Sequence, residues 1–384
     1  MRDLFDERVD LGDAPGRANV GHKAMTVIHS VLAGSDSIDD CDVLRAGSTV
    51  EVLGHELRAP STIGTFLRSF SWGHVRQLDS VAGEALARAW QAGAGPADPA
   101  GPFTIDLDSS IHETYGIHKQ GASRGYTYVR GYHPLYAFAG DDGQVLHSRL
   151  RGGNAHTARG AVGFLTESFA RLRAAGVSAR LRMRADSGFY SAKIVKACQA
   201  ARAEFSITVK LYPNVHAAIS TIPDDAWKPI PYWLRLVVRR TRPTPGSQLA
   251  LIAEFSYHAF MTDRDGDPVT LDAWHRAHAT CENAIRDLKY GVGLNHLPSG
   301  RFGANCAWLA LAAMAHNLAN WTSQLGLGDG RITTETLRRR YLRVPGHLTH
   351  RARSVQLHLA RQWPWKRQFL RAVIRFRRLE VLNT

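Results

Sequence analysis

The chain has little cysteine and no pattern in what it has. Its four cysteines, Cys41, Cys198, Cys281 and Cys306, are scattered without C-x-x-C spacing, which argues against a structural zinc cluster and against a disulfide framework. A reducing, cytoplasmic setting is the expectation. The amino terminus, MRDLFDERVD, mixes acids and bases without an apolar core, so no export signal is expected. Long apolar runs are also scarce. Only FGANCAWLALAAMAHNLANW at 302–321 approaches membrane-span length, and its three Asn and one His mark it as a buried core helix with no membrane role. There is no internal repeat and no glycine-rich phosphate loop. The stretch RGGNAH at 151–156 reads as a helix start capped by Asn154, and His112, His118, His133 and His156 show no metal-ligand spacing.

Acidic residues are in deficit. Against 48 Lys plus Arg the chain has 34 Asp plus Glu, a formal net charge of +14, which favours a polyanionic partner. Residues 331–384 alone hold 14 Lys plus Arg against 2 Asp plus Glu, so the surplus lies almost wholly in the tail. With 44% apolar and 21% charged residues over 384 positions, the chain has globular composition and length enough for two or three domains.

Periodicity divides the chain. Residues 1–98 read as a small helical unit, with VGHKAMTVIHSVLAG, STIGTFLRSF and DSVAGEALARAW at helical spacing. The linker AGAGPADPAGP ends it. From 99 to 212 the pattern alternates: FTIDLDSSI, GYTYVRGYHPLYAFAG and GQVLHSRLRGG predict an antiparallel meander, with DDG at 141–143 as a hairpin turn. A helix ending at Gly176, the strand ARLRMRADSGF, a helix from about Ser191 and the strand FSITVKL complete a β-β-β-α-β-α-β order. Residues 213–268 lack helical periodicity and read as a β-rich insertion through YWLRLVVRR, LALIAEFSY and HAFMTD. Helix is expected again at about 270–291 and 303–325 within a 269–330 unit, before the basic tail at 331–384.

On the strand TIDLDSS a period of two places Asp106 and Asp108 on one face, where they repel unless a cation or water intervenes. The strand ARLRMRA also ends in a carboxylate, Asp186, followed by SGF. In TCENAIRDLKYG, Trp274, Ala277, Cys281, Ala284, Ile285 and Leu288 are expected to form the buried stripe. His275, His278, Glu282, Arg286 and Lys289 then share a polar row, in which a Glu282–Arg286 pair would stabilise by only about 0.2–0.5 kcal/mol.

With its basic tail, this set resembles the DDE transposases of bacterial insertion sequences, from about residue 20 to the end. The elements that carry the likeness are DLDSS, ADSGF, a β-rich insertion, the helix with Glu282 and Lys289, and FGANCAWLALAAMAHNLANW, in that order. The resemblance implies an α/β, RNase H-like mixed sheet flanked by helices, with Asp108, Asp186 and Glu282 as ligands of two Mg²⁺ ions, Mn²⁺ substituting. Asp108 is preferred to Asp106 because Ser109 and Ser110 follow it, and Lys289 matches a strand-contacting lysine. His275 and His278 stand where related cut-and-paste enzymes have Tyr and Arg. The implied activity is cleavage at element ends and strand transfer into target DNA, by a homodimer on double-stranded DNA, nucleoid-associated in the cytoplasm. The alternatives are a nuclease that cuts without joining, and an inactive DNA-binding remnant, since the segment ahead of the core is shorter than the lineage's usual one. The tail, with Arg interleaved by Trp363, Trp365, Phe369 and Phe376, is expected to contact phosphates.

Overall fold

A computed structural model describes residues 1–221, 235–242, 255–328, 331–351 and 354–382. Six helices lead the chain: α1 (Arg2–Arg8), α2 (Val20–Ala33), α3 (Cys41–Arg45), α4 (Thr49–Leu53), α5 (Pro60–Arg68) and α6 (Trp72–Ala89). The last starts at a capping box, in which the Ser71 N–H donates to His74 Nδ1 at 3.1 Å and the Ser71 hydroxyl accepts from the His74 N–H at 3.5 Å.

The sheet begins with β1 (Phe103–Ser109). Three short strands follow, β2 (His112–Glu113), β3 (Ser123–Arg124) and β4 (Arg130–Tyr132), and form a small sheet of their own in the order β2-β4-β3. The long strand expected over GYTYVRGYHPLYAFAG is therefore two strands, β4 and β5 (Leu135–Ala139), broken at His133-Pro134. Pro134 cannot donate to a ladder, and the His133 N–H turns away to the Arg151 carbonyl at 3.2 Å. The small sheet is drawn tight by glycine: a Cβ on Gly131 would lie 2.2 Å from the His112 carbonyl oxygen.

After β6 (Val145–Arg149) come α7 (Ala161–Ala174), β7 (Leu181–Ala185), α8 (Ala192–Ala200) and β8 (Glu204–Thr208). Asn154 does not cap α7; the helix starts at Ala161 behind Gly160, and residues between 151 and 160 form turns. Ser191 does cap α8, accepting from the Lys193 N–H at 3.2 Å. β1 pairs antiparallel with β5 and parallel with β7, β7 pairs parallel with β8, and β5 pairs antiparallel with β6. Each parallel step runs through a helix. The core order, third, second, first, fourth, fifth strand, is the RNase H-like arrangement.

Residues 213–268 depart from the expectation of a wholly β segment. Pro213–Ser220 is helical (α9), with proline at its first turn. The described strands, β9 (Arg235–Thr241) and β10 (Ser256–Thr262), extend the core sheet through β10 against β8, giving the order β6-β5-β1-β7-β8-β10-β9. Residues 232–234 of YWLRLVVRR and 249–254 of LALIAEFSY lie outside the described residues.

The helix Phe302–Trp321 is the centre of the molecule, packed against α2, α5, α6 and β6. It shows no one-sided apolar stripe because it is buried on nearly every side, with Trp308, Leu309, Leu311 and Met314 all at most 2% exposed. Each such side chain stabilises by about 1.5–3 kcal/mol. Its polar residues are satisfied inside: Asn317 both accepts from the Val145 N–H at 2.7 Å and donates to the Val145 carbonyl at 2.8 Å, closing an edge of β6. Among the described residues no helix is long and apolar enough to cross a membrane.

The tail is structured. It holds a helical turn at Thr334–Leu337, a hairpin of β11 (Gly346–Arg351) and β12 (Ser354–Leu359), and the helix Lys366–Leu382.

Candidate active site

Register builds the site. Asp106 pairs with Arg184, and Leu107 with Ala185, across the parallel strands β1 and β7. The next residues, Asp108 and Asp186, therefore leave neighbouring strands at their carboxyl ends, where functional side chains collect in such sheets. Asp106 and Asp108 do share a face, but their environments differ. Asp106 is 1% exposed and takes both Arg184 guanidinium bonds at 2.7 Å. That pairing relieves the repulsion and commits Asp106 to structure, leaving Asp108 as the strand's carboxylate open to other work.

Asp108 is half-buried. Its Oδ1 accepts from the Ser109 N–H at 2.6 Å and its Oδ2 from the Cys281 thiol at 3.2 Å. Burial raises its pKa and the neighbouring Asp186 charge adds to this, outweighing His278, the Ser109 N–H and Cys281. Asp186 is exposed and, among the described residues, accepts only from the Gly188 N–H, at 3.0 Å, at the head of the turn SGF. Lys289 reaches the same corner: its Nζ donates to the Ile111 carbonyl at 3.0 Å and feels the charge of Asp108, while burial lowers its pKa.

The helix that carries Glu282 differs from the continuous one expected. Pro268–Arg276 is α-helical, Ala277–Ala279 tightens to a 3₁₀ turn, Thr280–Arg286 is α-helical again, and Asp287–Gly291 widens to a π-turn. These changes of pitch break the polar row. His275 is 3% exposed, bonded to the Ser206 and Thr208 hydroxyls at 2.6 and 3.0 Å and stacked on Phe260, so it belongs to the core. Ala277, placed in the buried stripe by simple periodicity, is exposed, and Trp274 is half-buried. Cys281, Ala284, Ile285 and Leu288 are buried as expected.

His278 turns inward, and its Nδ1 lies 2.9 Å from Asp106 Oδ1. Burial would lower its pKa, but the bond to Asp106 and the charges of Asp106 and Asp108 prevail and raise it. Glu282 is exposed, one position beyond the cysteine that touches Asp108. Among the described residues it makes no hydrogen bond or ion pair. The expected Glu282–Arg286 pair is absent there, so that carboxylate is uncommitted.

Two features at this corner lie outside the sequence reading of the site. Arg184 sits on a central strand, 3% exposed; the Arg/apolar alternation of ARLRMRA was its signal, since an arginine buried there requires an acid. The loops around β3 expose Tyr115, Tyr126 and Tyr128 at 81, 71 and 82%. The Tyr126 ring lies 5.9 Å from His133, whose Nε2 meets the Ser109 hydroxyl at 2.9 Å. Tyr126 thus stands beside the strand end that carries Asp108, with Tyr115 and Tyr128 exposed in the neighbouring loops.

The tail's charge is partly spent internally. Arg338 is 7% exposed and holds the carbonyls of Val31, Leu32 and Gly291, Arg343 that of Ala33, and Arg375 that of Gly326. Arg361, Arg367, Arg371, Arg377 and Arg378 are exposed.

Comparison with known proteins places the chain as follows. The family described as transposase DDE domain group 1 matches residues 17–232 and 231–381. No curated protein matches. Among solved structures, a piggyBac transposase synaptic complex with hairpin DNA is similar at 11% identity over 88% of this chain and 73% of that one, with a TM-score of 0.45. The Mos1 transposase paired-end complex with the left transposon end is similar at 11% identity over 43% of this chain and 56% of that one, with a TM-score of 0.21.

Proposed function

We propose a catalytic role on one premise: the chain belongs to the transposase DDE domain group 1 family, matched over residues 17–232 and 231–381. The reading is a transposase that cleaves DNA at the ends of an insertion element with Mg²⁺ and joins the freed 3′ ends to target DNA, acting as a homodimer on the DNA.

The observation that carries it is the pair of carboxylates at the ends of adjacent parallel strands, of which Asp108 has its pKa raised by burial and then by Asp186. A half-buried acid that feels the charge of another acid, with no arginine bonded to it among the described residues, fits a place for added cations. Asp108, Asp186 and the uncommitted Glu282 would supply the hard oxygen donors that Mg²⁺ takes, with the exposed Asp186 and Glu282 turning in toward Asp108, and Mn²⁺ would occupy the same ligands. When bound, the two ions activate the attacking oxygen and stabilise the leaving one. Lys289, with Nζ protons left after its bond to the Ile111 carbonyl, would steady a phosphate oxygen. Tyr126 would stack an unpaired base at the cut, and the exposed tail arginines would follow the backbone.

The test is a strand-transfer assay on element-end DNA with the wild type and Asp186→Asn. Joined products in Mg²⁺ from the wild type alone support the reading. Cut but unjoined ends support a nuclease, binding without cutting supports an inactive remnant, and cleavage retained in D186N rejects the site.

A further inference from the structure

We propose that Asp108, His278 and Cys281 form a second kind of metal site, selective for a thiophilic divalent cation such as Zn²⁺, and that its occupancy withholds Asp108 from the catalytic ions. The second clause rests on the function proposed above; the first stands on geometry alone.

One carboxylate oxygen, one imidazole nitrogen and one thiol sulfur lie here within 4.8 Å of one another. Cys281 Sγ is 3.2 Å from Asp108 Oδ2 and 3.9 Å from either ring nitrogen of His278. Zinc bonds of about 2.0 Å to nitrogen or oxygen and about 2.3 Å to sulfur, at tetrahedral angles, put ligand atoms roughly 3.3–3.7 Å apart. The Asp108–Cys281 separation is close to those values and the imidazole stands somewhat farther off, so rotation of the His278 and Cys281 side chains is what closes the set around an ion.

The surroundings are those of a metal histidine. Asp106 Oδ1 lies 2.9 Å from His278 Nδ1, which fixes the Nδ1–H tautomer and leaves the Nε2 lone pair free, the carboxylate–histidine–metal relay common at zinc. Asp106 is itself clamped by the two Arg184 bonds at 2.7 Å, so the imidazole is oriented from beneath by a buried ion pair. The three-residue step from His278 to Cys281 passes through the 3₁₀ turn into the next α-turn, which puts both side chains over the end of β1. Three protein ligands leave a fourth position for water. Binding breaks the Cys281 S–H bond, forms a zinc–sulfur bond and releases the proton to solvent. Mg²⁺, which prefers oxygen, gains nothing from the sulfur or the imidazole.

The experiment loads the full chain with Co²⁺ as a spectroscopic stand-in for zinc. One equivalent should give thiolate-to-cobalt charge-transfer absorption, removed by one equivalent of Zn²⁺ and untouched by excess Mg²⁺. Cys281→Ser should lose the band, and His278→Gln should bind Co²⁺ about tenfold or more weakly. Circular dichroism confirms that each variant is folded. A wild type without the band overturns the site, as does a band kept in C281S, which would belong to Cys41, Cys198 or Cys306.

Zinc inhibition of Mg²⁺-dependent cleavage, read as the ratio with and without zinc within each variant, should weaken about tenfold or more in C281S; an equal ratio overturns the withholding of Asp108. Asp186→Asn separates the two readings, because it should keep the cobalt band while losing cleavage. Cleavage kept in D186N with the band intact rejects the catalytic reading and leaves the zinc site standing.

Discussion

Two groups of carboxylates sit against the sheet, and they are treated in opposite ways. Asp79 and Glu167 are surrounded by arginine: Arg76 and Arg149 each reach Glu167 at 2.6 Å, and Arg76 and Arg171 reach Asp79 at 3.3 Å. Burial opposes ionisation there, but the bonds and charges prevail, holding Glu167 at about 2 and Asp79 below the usual carboxylate range. Asp108 and Asp186 have no arginine bonded to them among the described residues, and burial with Asp186 pushes Asp108 up. A protein rich in arginine has left this acidic pair, at the carboxyl end of its central strands, without an arginine bonded to it. Compensated carboxylates carry structure, and the proposed function assigns the uncompensated ones at this corner to an external cation.

The sharpest way to break that comparison is to undo the one arginine that serves the site from below. Arg184→Met strips Asp106, 1% exposed, of both guanidinium bonds and leaves His278 as the one partner of a buried charge among the described residues. A loss of about 3–5 kcal/mol is expected, seen as a lowered denaturant midpoint, and the cobalt band should weaken with it. Asp108→Asn should act in the reverse sense. Because its folded pKa is raised, the ionised Asp108 opposes folding near neutral pH, so the variant should melt at an equal or higher temperature while Mg²⁺-dependent cleavage is lost. A melting temperature clearly lowered by D108N would show that this carboxylate is structural too.

How much of this the sequence disclosed depends on the range of the forces. Strand alternation, the Gly and Pro breaks and the Ser191 cap are local, and they made legible the order of the core strands, the central helix and the position of Asp186 after β7. The break at His133-Pro134 was signalled by the proline, but the tight glycine contacts beneath it are tertiary. Helical periodicity assumes one pitch; the 3₁₀ turn at Ala277–Ala279 and the π-turn at Asp287–Gly291 violate it, so a single period puts His275 on the polar row and Ala277 in the buried stripe. The pairing of Asp106 with Arg184 joins residues far apart in sequence that register alone makes neighbours. Without that register, Asp106 and Asp108 are told apart only by the two serines after Asp108.

The tail repeats the comparison with cations. Arg338 and Arg343 bind backbone carbonyls, whereas Arg361, Arg367, Arg371 and Arg377 are exposed. Replacing the exposed four by Gln should reduce the slope of log affinity for DNA against log salt by up to about 0.9 for each phosphate no longer neutralised, with little change in melting temperature. Arg338→Gln should do the opposite, lowering stability while the slope stays. An unchanged slope in the fourfold variant would move the DNA surface away from the tail.

The smallest effect tests the compensated side. Glu167 has a depressed folded pKa, so its contribution is present above the unfolded value of about 4.3 and is lost as pH falls through about 2. Glu167→Gln should therefore cost no more than about 1 kcal/mol near neutral pH, since the side chain is about one-third exposed. The gap from the wild type should close as pH is lowered from about 4 toward 2. Asp79, held below the usual carboxylate range, and His147, lowered to about 4, share these arginines, so the comparison must be of the two proteins at each pH. A gap that widens in acid would mean that Glu167 is held protonated, and the contrast between the two carboxylate groups would fail.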